Sequence, residues 1–199
     1  MTLGTHNSAT GGRLLWWLRP LAWVINPTSK CQDRTLVDQL SDGVKVFNLQ
    51  VAYINGKWRF THGLAIYKED VLETLAMMKA CATKEEPIYF QLYLDRCFWC
   101  NQDEIKFVEL ITQIRNEFLD DKLMMFDPWV EGTNEHFKMG NVFEKISLEE
   151  HYWTLSWGKD KTFLDKLPLP RRHAHKYNKI YIKNCSSDYL MLDFYNKYR

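Results

Sequence analysis

Asn55-Gly56 is a two-residue hairpin signal, because both positions accept the left-handed backbone that a tight turn between strands requires. The segment before it, Val44 to Tyr53, alternates so that Val44, Val46, Asn48 and Gln50 share one face while Lys45, Phe47, Leu49 and Val51 share the other. Two amides therefore stand near the C-terminal end of one strand face. The return segment, Lys57-Trp58-Arg59-Phe60, carries His62 back toward them. Residues 3–8 repeat the theme: Leu3-Gly4-Thr5-His6-Asn7-Ser8 is a short apolar lead ending in a glycine, a hydroxyl, an imidazole and an amide. A strand that stops in such residues presents a site.

The rest of the chain alternates between helical and extended patterns. Thr35 to Ser41 reads as a helix with Leu36, Val37 and Leu40 on one face, stopped by Asp42-Gly43. Asp70 with Glu73 forms a capping box for a helix through Cys81, whose apolar face is Val71, Leu72, Leu75, Met78 and Ala82. Pro87 to Leu94 is a strand, and Asn101 to Leu119 a helix with Ile105, Val108, Ile111, Ile114 and Phe118 at helical spacing. Leu123 to Phe126, the region around Trp153 to Trp157, Lys179 to Lys183, and Tyr189 to Tyr195 read as further strands. Strands interleaved with helices over short loops predict an α/β fold with a parallel sheet.

At 199 residues the chain reads as a single domain over 1–199, and 46% apolar with 26% charged residues is an ordinary globular composition. Lys+Arg 26 against Asp+Glu 25 leaves no global charge to draw the protein to nucleic acid, so attraction to an anionic surface must be local. Five cysteines at irregular spacing do not form a disulfide framework. Cys97-Phe98-Trp99-Cys100 lacks the second ligand pair that a zinc site needs. Neither a bilayer-spanning run nor a secretory signal is legible, so the expected setting is the cytoplasm or the periphery of a membrane, and the expected state a monomer.

Three segments, Gly4-Thr5-His6-Asn7-Ser8, Gly43-Val44-Lys45-Val46-Phe47-Asn48-Leu49-Gln50, and His62-Gly63, resemble in pattern and order the X domain of the phosphatidylinositol-specific phospholipases C. The resemblance implies a (β/α)8 barrel of the TIM type, at the small end of its size range, with working residues at the C-terminal ends of strands. It implies a phospholipid or small phosphodiester substrate. His6 and His62 take the places of the two acid-base histidines, and imidazole suits both roles because its pKa lies near operating pH. Asp193, in Leu190-Met191-Leu192-Asp193-Phe194-Tyr195, resembles the last-strand aspartate that orients the general base. Met139 to Leu148 resembles the segment leading into the family's fifth strand.

The departures concern charge. Family members neutralise the phosphate either with an arginine at the end of strand two or with calcium held by carboxylates on strands two and three. This chain has Asn48 and Gln50 there, and Tyr93 near the third-strand position. Asn7 matches the calcium-dependent branch and Asp95 offers one carboxylate, too few for a cation that takes about six oxygens. No cofactor is therefore expected, with calcium the one metal left open. Asn7, Asn48, Gln50, Asp95, Arg96 and Lys183 are the candidate substrate-binding residues. A glycerophosphodiesterase or phospholipase D of related fold would need an acidic pair where Asn48 and Gln50 stand.

Two segments carry alternative readings. Arg13 to Ile25, with Trp16, Trp17 and Trp23, is either a plug for the barrel or an interfacial segment whose indoles enter lipid; bacterial members carry a tryptophan-containing helix at this place. Proline at 20 denies it one long helix. Arg171-Arg172-His173-Ala174-His175-Lys176 is either a solvated loop or a contact for phosphate or anionic lipid. The rival to an enzyme is a catalytically weakened module that binds lipid headgroups at a membrane surface.

Overall fold

The computed structural model describes residues 2–96, 98–130, 169–184 and 189–198. Its strands are β1 (Thr2–Thr5), β2 (Val46–Ile54), β3 (Lys57–His62), β4 (Ala65–Asp70), β5 (Ile88–Leu94), β6 (Leu123–Val130) and β7 (Tyr189–Leu192). The helices are α1 (Ala22–Ser29), α2 (Leu36–Ser41), α3 (Val71–Cys81), α4 (Glu104–Glu117) and α5 (Pro170–Asn184), with short 3-10 turns at Ser8–Gly11, Trp16–Leu21 and Tyr195–Lys197. Strands β7, β1, β2, β5 and β6 run parallel in that spatial order, and the hairpin β3-β4 adds antiparallel to β2. The result is an α/β protein with a curled, half-barrel sheet.

β1 and β3 share one edge of β2. β1 pairs with its N-terminal half at Val46 and Phe47, and β3 returns along its C-terminal half from Ile54 to Val51. The last residues of β1 and β3 therefore approach one another over the middle of β2.

The convex side carries the main core, in which Phe47, Leu49, Val51, Phe90, Leu92, Leu75, Met78, Phe107 and Ile114 are buried together. Burial on both sides is what a parallel sheet under helices requires. The concave side is layered by register. Gly4, Val46, Tyr89 and Met191 stand side by side in the lowest layer, where a Cβ on Gly4 would lie 3.0 Å from both Met191 Cγ and Val46 Cβ. A methyl group there would require Met191 or Val46 to shift by a few tenths of an ångström. Above it come Asn48 beside Gln91, then Gln50 beside Tyr93, so the concave face turns from apolar to polar toward the strand ends.

Asp70 caps α3 by accepting from the backbone N–H groups of Leu72 and Glu73, and Thr35 with Asp38 forms a reciprocal capping box on α2. Gly11 packs so closely on the next loop that a Cβ there would lie 1.8 Å from Arg34 O. Gly11→Ala should destabilise the fold by about 3 kcal/mol, the upper end of the overpacking range, since backbone cannot rotate aside as a side chain can. Equilibrium denaturation checks this; a loss below about 1 kcal/mol would contradict the packing.

The structure departs from the sequence expectations in five places. Lys179 to Lys183 is the last part of helix α5, not a strand. The local alternation of Lys179-Ile180-Tyr181-Ile182-Lys183 is overridden by the fifteen-residue segment, whose buried positions Ala174 and Asn178 are one helical turn apart and whose first residue is proline. The basic cluster at 171–176 is the first half of the same helix rather than a loop. On α4 the buried stripe is Phe107, Leu110, Ile111 and Ile114, while Ile105 (77%) and Val108 (44%) are exposed; steps of three drift around the helix, so Ile105 ends about 180° from Ile114. Val37 likewise faces out at 56%, and the buried positions of α2 are Leu36 and Gln39. Ala65 to Asp70 forms a strand that the capping signal at Asp70 concealed. The segments at 139–148 and 153–157 lie outside the described residues.

Candidate active site

β1 and β7 pair in register with Thr5 beside Leu192, so the next residues on the two strands, His6 and Asp193, come out side by side. His6 N donates to Leu192 O at 3.3 Å, extending the ladder by one bond. Each strand then ends in a left-handed residue, Asn7 (φ 44) and Phe194 (φ 47), which turns the backbone away. His6 Nδ1 lies 2.8 Å from Asp193 Oδ1. An ionised carboxylate can only accept, so this contact places a proton on Nδ1, and in the neutral tautomer it selects, Nε2 is the acceptor nitrogen.

His62 stands opposite, with its ring centroid 6.5 Å from that of His6 and the two planes at 79°. Its Nδ1 donates to Ser29 O at 2.6 Å, which again leaves Nε2 as the other working nitrogen. Ser29 ends α1, and the chain continues through Cys31 and Gln32 directly beneath both histidines. Cys31 Sγ is 3.9 Å from His62 Nδ1 and 3.7 Å from Asn7 Nδ2. Burial, reinforced by the nearby Asp193 charge, pushes the Cys31 thiol well above its ordinary pKa.

The amides form a connected network. Asn7 N donates to Asn48 Oδ1 at 3.2 Å, and Asn48 Nδ2 donates to Gln91 Oε1 at 3.1 Å. Tyr93 donates its hydroxyl proton to Asn7 Oδ1 at 2.6 Å, with Gln50 Oε1 3.0 Å away, and Gln50 Nε2 donates to Asp95 Oδ1 at 2.7 Å. Asn7, Asn48, Gln50, Tyr93 and Asp95 are all buried. Trp129 stacks on Tyr93 with centroids 5.0 Å apart.

The candidate residues thus fall into three groups. His6, His62, Asp193, Asn7, Asn48, Gln50 and Asp95 lie at one end of the sheet. Arg96 is exposed beyond β5, and Lys183 is exposed in the last turn of α5. Of the tryptophans, Trp16 (75%) and Trp23 (79%) are exposed, whereas Trp17 packs edge-on against Trp99 at 5.2 Å. Sequence reading passed over Cys31 and Gln32. Neither sits in a motif, and only the return of the chain after α1 brings them to the histidines.

No family model matches the chain, and no curated protein matches it in sequence. Solved structures do. The chain is similar to the phosphatidylinositol-specific phospholipase C of Listeria monocytogenes (TM-score 0.56, 16% identity, 97% of this chain and 87% of that one). It is also similar to the Staphylococcus aureus enzyme as its H258Y mutant (TM-score 0.57, 14% identity, 97% and 84%). Against another staphylococcal structure, the F249X mutant, the matched part covers 48% of that chain. The likeness shows the fold alone: a phospholipase-C-like α/β fold, here with a curled half-barrel sheet.

Proposed function

We propose that this protein is a phospholipase-C-like phosphodiesterase that cleaves phosphatidylinositol or a related phosphodiester by acid-base catalysis between His6 and His62. One observation carries the proposal: an imidazole held by a carboxylate at 2.8 Å faces a second imidazole at 6.5 Å, both at one end of a phospholipase-like sheet. With its proton held at Nδ1, His6 offers Nε2 to a substrate hydroxyl, and His62, charged, returns a proton to the leaving oxygen. Asn7, Asn48 and Gln50 supply amides toward the phosphate. Completion of the half-barrel to a (β/α)8 barrel belongs to the same proposal.

The direct test is cleavage of phosphatidylinositol vesicles by purified protein. We expect product, and we expect a calcium-selective chelator or added calcium to leave the rate unchanged, because among the described residues Asp95 is the one carboxylate bonded into the amide network. Dependence on calcium would overturn this reading of Asn48 and Gln50. A headgroup-binding module is the second reading, favoured by the amides' being bonded to one another. Vesicle binding by His6→Ala protein with no cleavage by the parent would support it.

Among the described residues no helix is long and apolar enough to cross a membrane. Contact with a bilayer is proposed through Trp16 and Trp23. Beside Trp23 lies a groove of about 750 Å³ lined also by Lys30, Arg171, Arg172 and His175, a set suited to anionic headgroups. Replacing Trp16 and Trp23 by alanine should weaken vesicle binding by about two orders of magnitude, since each indole offers ~150–250 Å² at ~25 cal/mol per Å², partly inserted. Trp17 is left in place because it packs on Trp99. Unchanged affinity in a sedimentation assay would assign the segment to packing alone.

A further inference from the structure

We infer that His6, Cys31 and Asp193 form a binding site for a borderline-soft divalent ion of the zinc class, and that its occupancy switches the His6 base off. A His6 nitrogen, the Cys31 sulfur and an Asp193 carboxylate oxygen lie within 4.8 Å of one another. Imidazole, thiolate and carboxylate are the three ligand types zinc takes, whereas calcium and magnesium call for oxygen alone.

The three ligand-bearing segments are tied together by hydrogen bonds that do not use the ligand atoms. Gln32 Nε2 donates to His6 O at 2.9 Å and to Leu192 O at 2.7 Å, bridging the strand ends that carry His6 and Asp193. Phe194 N donates to Cys31 O at 2.8 Å, joining the residue after Asp193 to the cysteine. Cys31 N and Gln32 N both donate to Thr10 Oγ1, and Asn178 Nδ2 donates to Asp193 O at 2.6 Å. Such outer bonds hold ligands in place before the ion arrives. The buried thiol itself is inert as a nucleophile, being kept protonated by burial and by the Asp193 charge. A cation between the same groups reverses that electrostatic balance.

The ion enters where the Nδ1 proton now bridges His6 and Asp193. The Cys31 thiol loses its proton to solvent, and the sulfur, Nδ1 and carboxylate oxygen each donate a lone pair to the metal. The imidazole proton leaves Nδ1 and is taken up at Nε2, so the ring stays neutral and one proton per ion reaches solvent. With Nε2 protonated, His6 has no lone pair for the attacking hydroxyl. This inhibitory consequence rests on the proposed role of His6; the metal site does not.

The test uses the full chain with the other four cysteines, Cys81, Cys97, Cys100 and Cys185, replaced by serine. Titrated with Co2+ as a spectroscopic stand-in, it should develop a thiolate-to-metal charge-transfer band in the near ultraviolet, reversed by excess Zn2+. Adding Cys31→Ser should abolish the band, and Asp193→Asn in the four-serine background should raise the cobalt concentration needed at least tenfold. No band, a band that survives Cys31→Ser, or unchanged affinity in Asp193→Asn would each overturn the site. Because Asp193→Asn keeps every cysteine of that background, a folding failure of Cys31→Ser alone does not rescue the idea. In the cleavage assay, equimolar Zn2+ should abolish activity and a chelator restore it; full activity at saturating zinc would overturn the switch. An absence of cleavage by metal-free protein is instead a failure of the phosphodiesterase proposal, and the cobalt band then decides the metal site by itself.

Discussion

Asp193→Asn should lower cleavage of phosphatidylinositol by about 10⁴-fold in kcat, the cost of the equivalent change at the orienting aspartate of a serine-hydrolase triad. The cause is tautomeric. Asp193 Oδ1, 2.8 Å from His6 Nδ1, can only accept, and so holds the imidazole with Nε2 as the base. An asparagine can turn its NH2 toward Nδ1, leaving the proton on Nε2, where it blocks abstraction. The fold should survive, because the backbone bonds that anchor this turn, Asn178 Nδ2 to Asp193 O and Phe194 N to Cys31 O, do not involve the carboxylate. KM should change little, since Asp193 stands behind the histidine. Steady-state kinetics on folded protein checks this. A loss of under tenfold would remove His6 from the role of base.

Gln50→Arg is the other large effect, and its sign is opposite. Cleavage should rise by an order of magnitude or more, since each ~1.4 kcal/mol of transition-state stabilisation is worth tenfold. A guanidinium there places a permanent charge on the concave face between the histidines and β5, where the family resemblance expects one. The structure supplies what orients it: Asp95 Oδ1 already accepts from the Gln50 amide at 2.7 Å and would receive the arginine as an ion pair. Burying an arginine without that carboxylate would cost far more than it returned. The gain should disappear in the Gln50→Arg, His6→Ala double variant. A folded Gln50→Arg protein that binds vesicles without cleaving would favour the headgroup-binding module, because the missing charge would then not be the missing element.

Much of the placement of the candidate residues could be read from the chain because they stand on strand ends. Two-residue alternation in β2 put Asn48 and Gln50 on one face, and the Asn55-Gly56 turn returned His62 toward them; both follow from local geometry that a few residues encode. Asp193 was found through its resemblance to a last-strand aspartate. Its partnership with His6, though, depends on the Thr5-Leu192 register between strands separated by most of the chain. The failures have local causes too. Steps of three in α4 look helical but drift around the axis, and the alternation at 179–183 is too short to resist a helix already propagating through Ala174 and Asn178.

By itself, then, the sequence determined the α/β alternation, the hairpin, the cap at Asp70, and which side chains could do acid-base chemistry. Those depend on residues within a turn or two of one another. Only the tertiary structure decided that Arg96 and Lys183 are exposed while the amides are buried, that Trp17 is packed while Trp16 and Trp23 are not, and that Cys31 lies among His6, His62 and Asp193. Each of those outcomes is set by which distant segments share a space. A thiol twenty-five residues from one histidine and thirty-one from the other carries no local signal that it lies beside them.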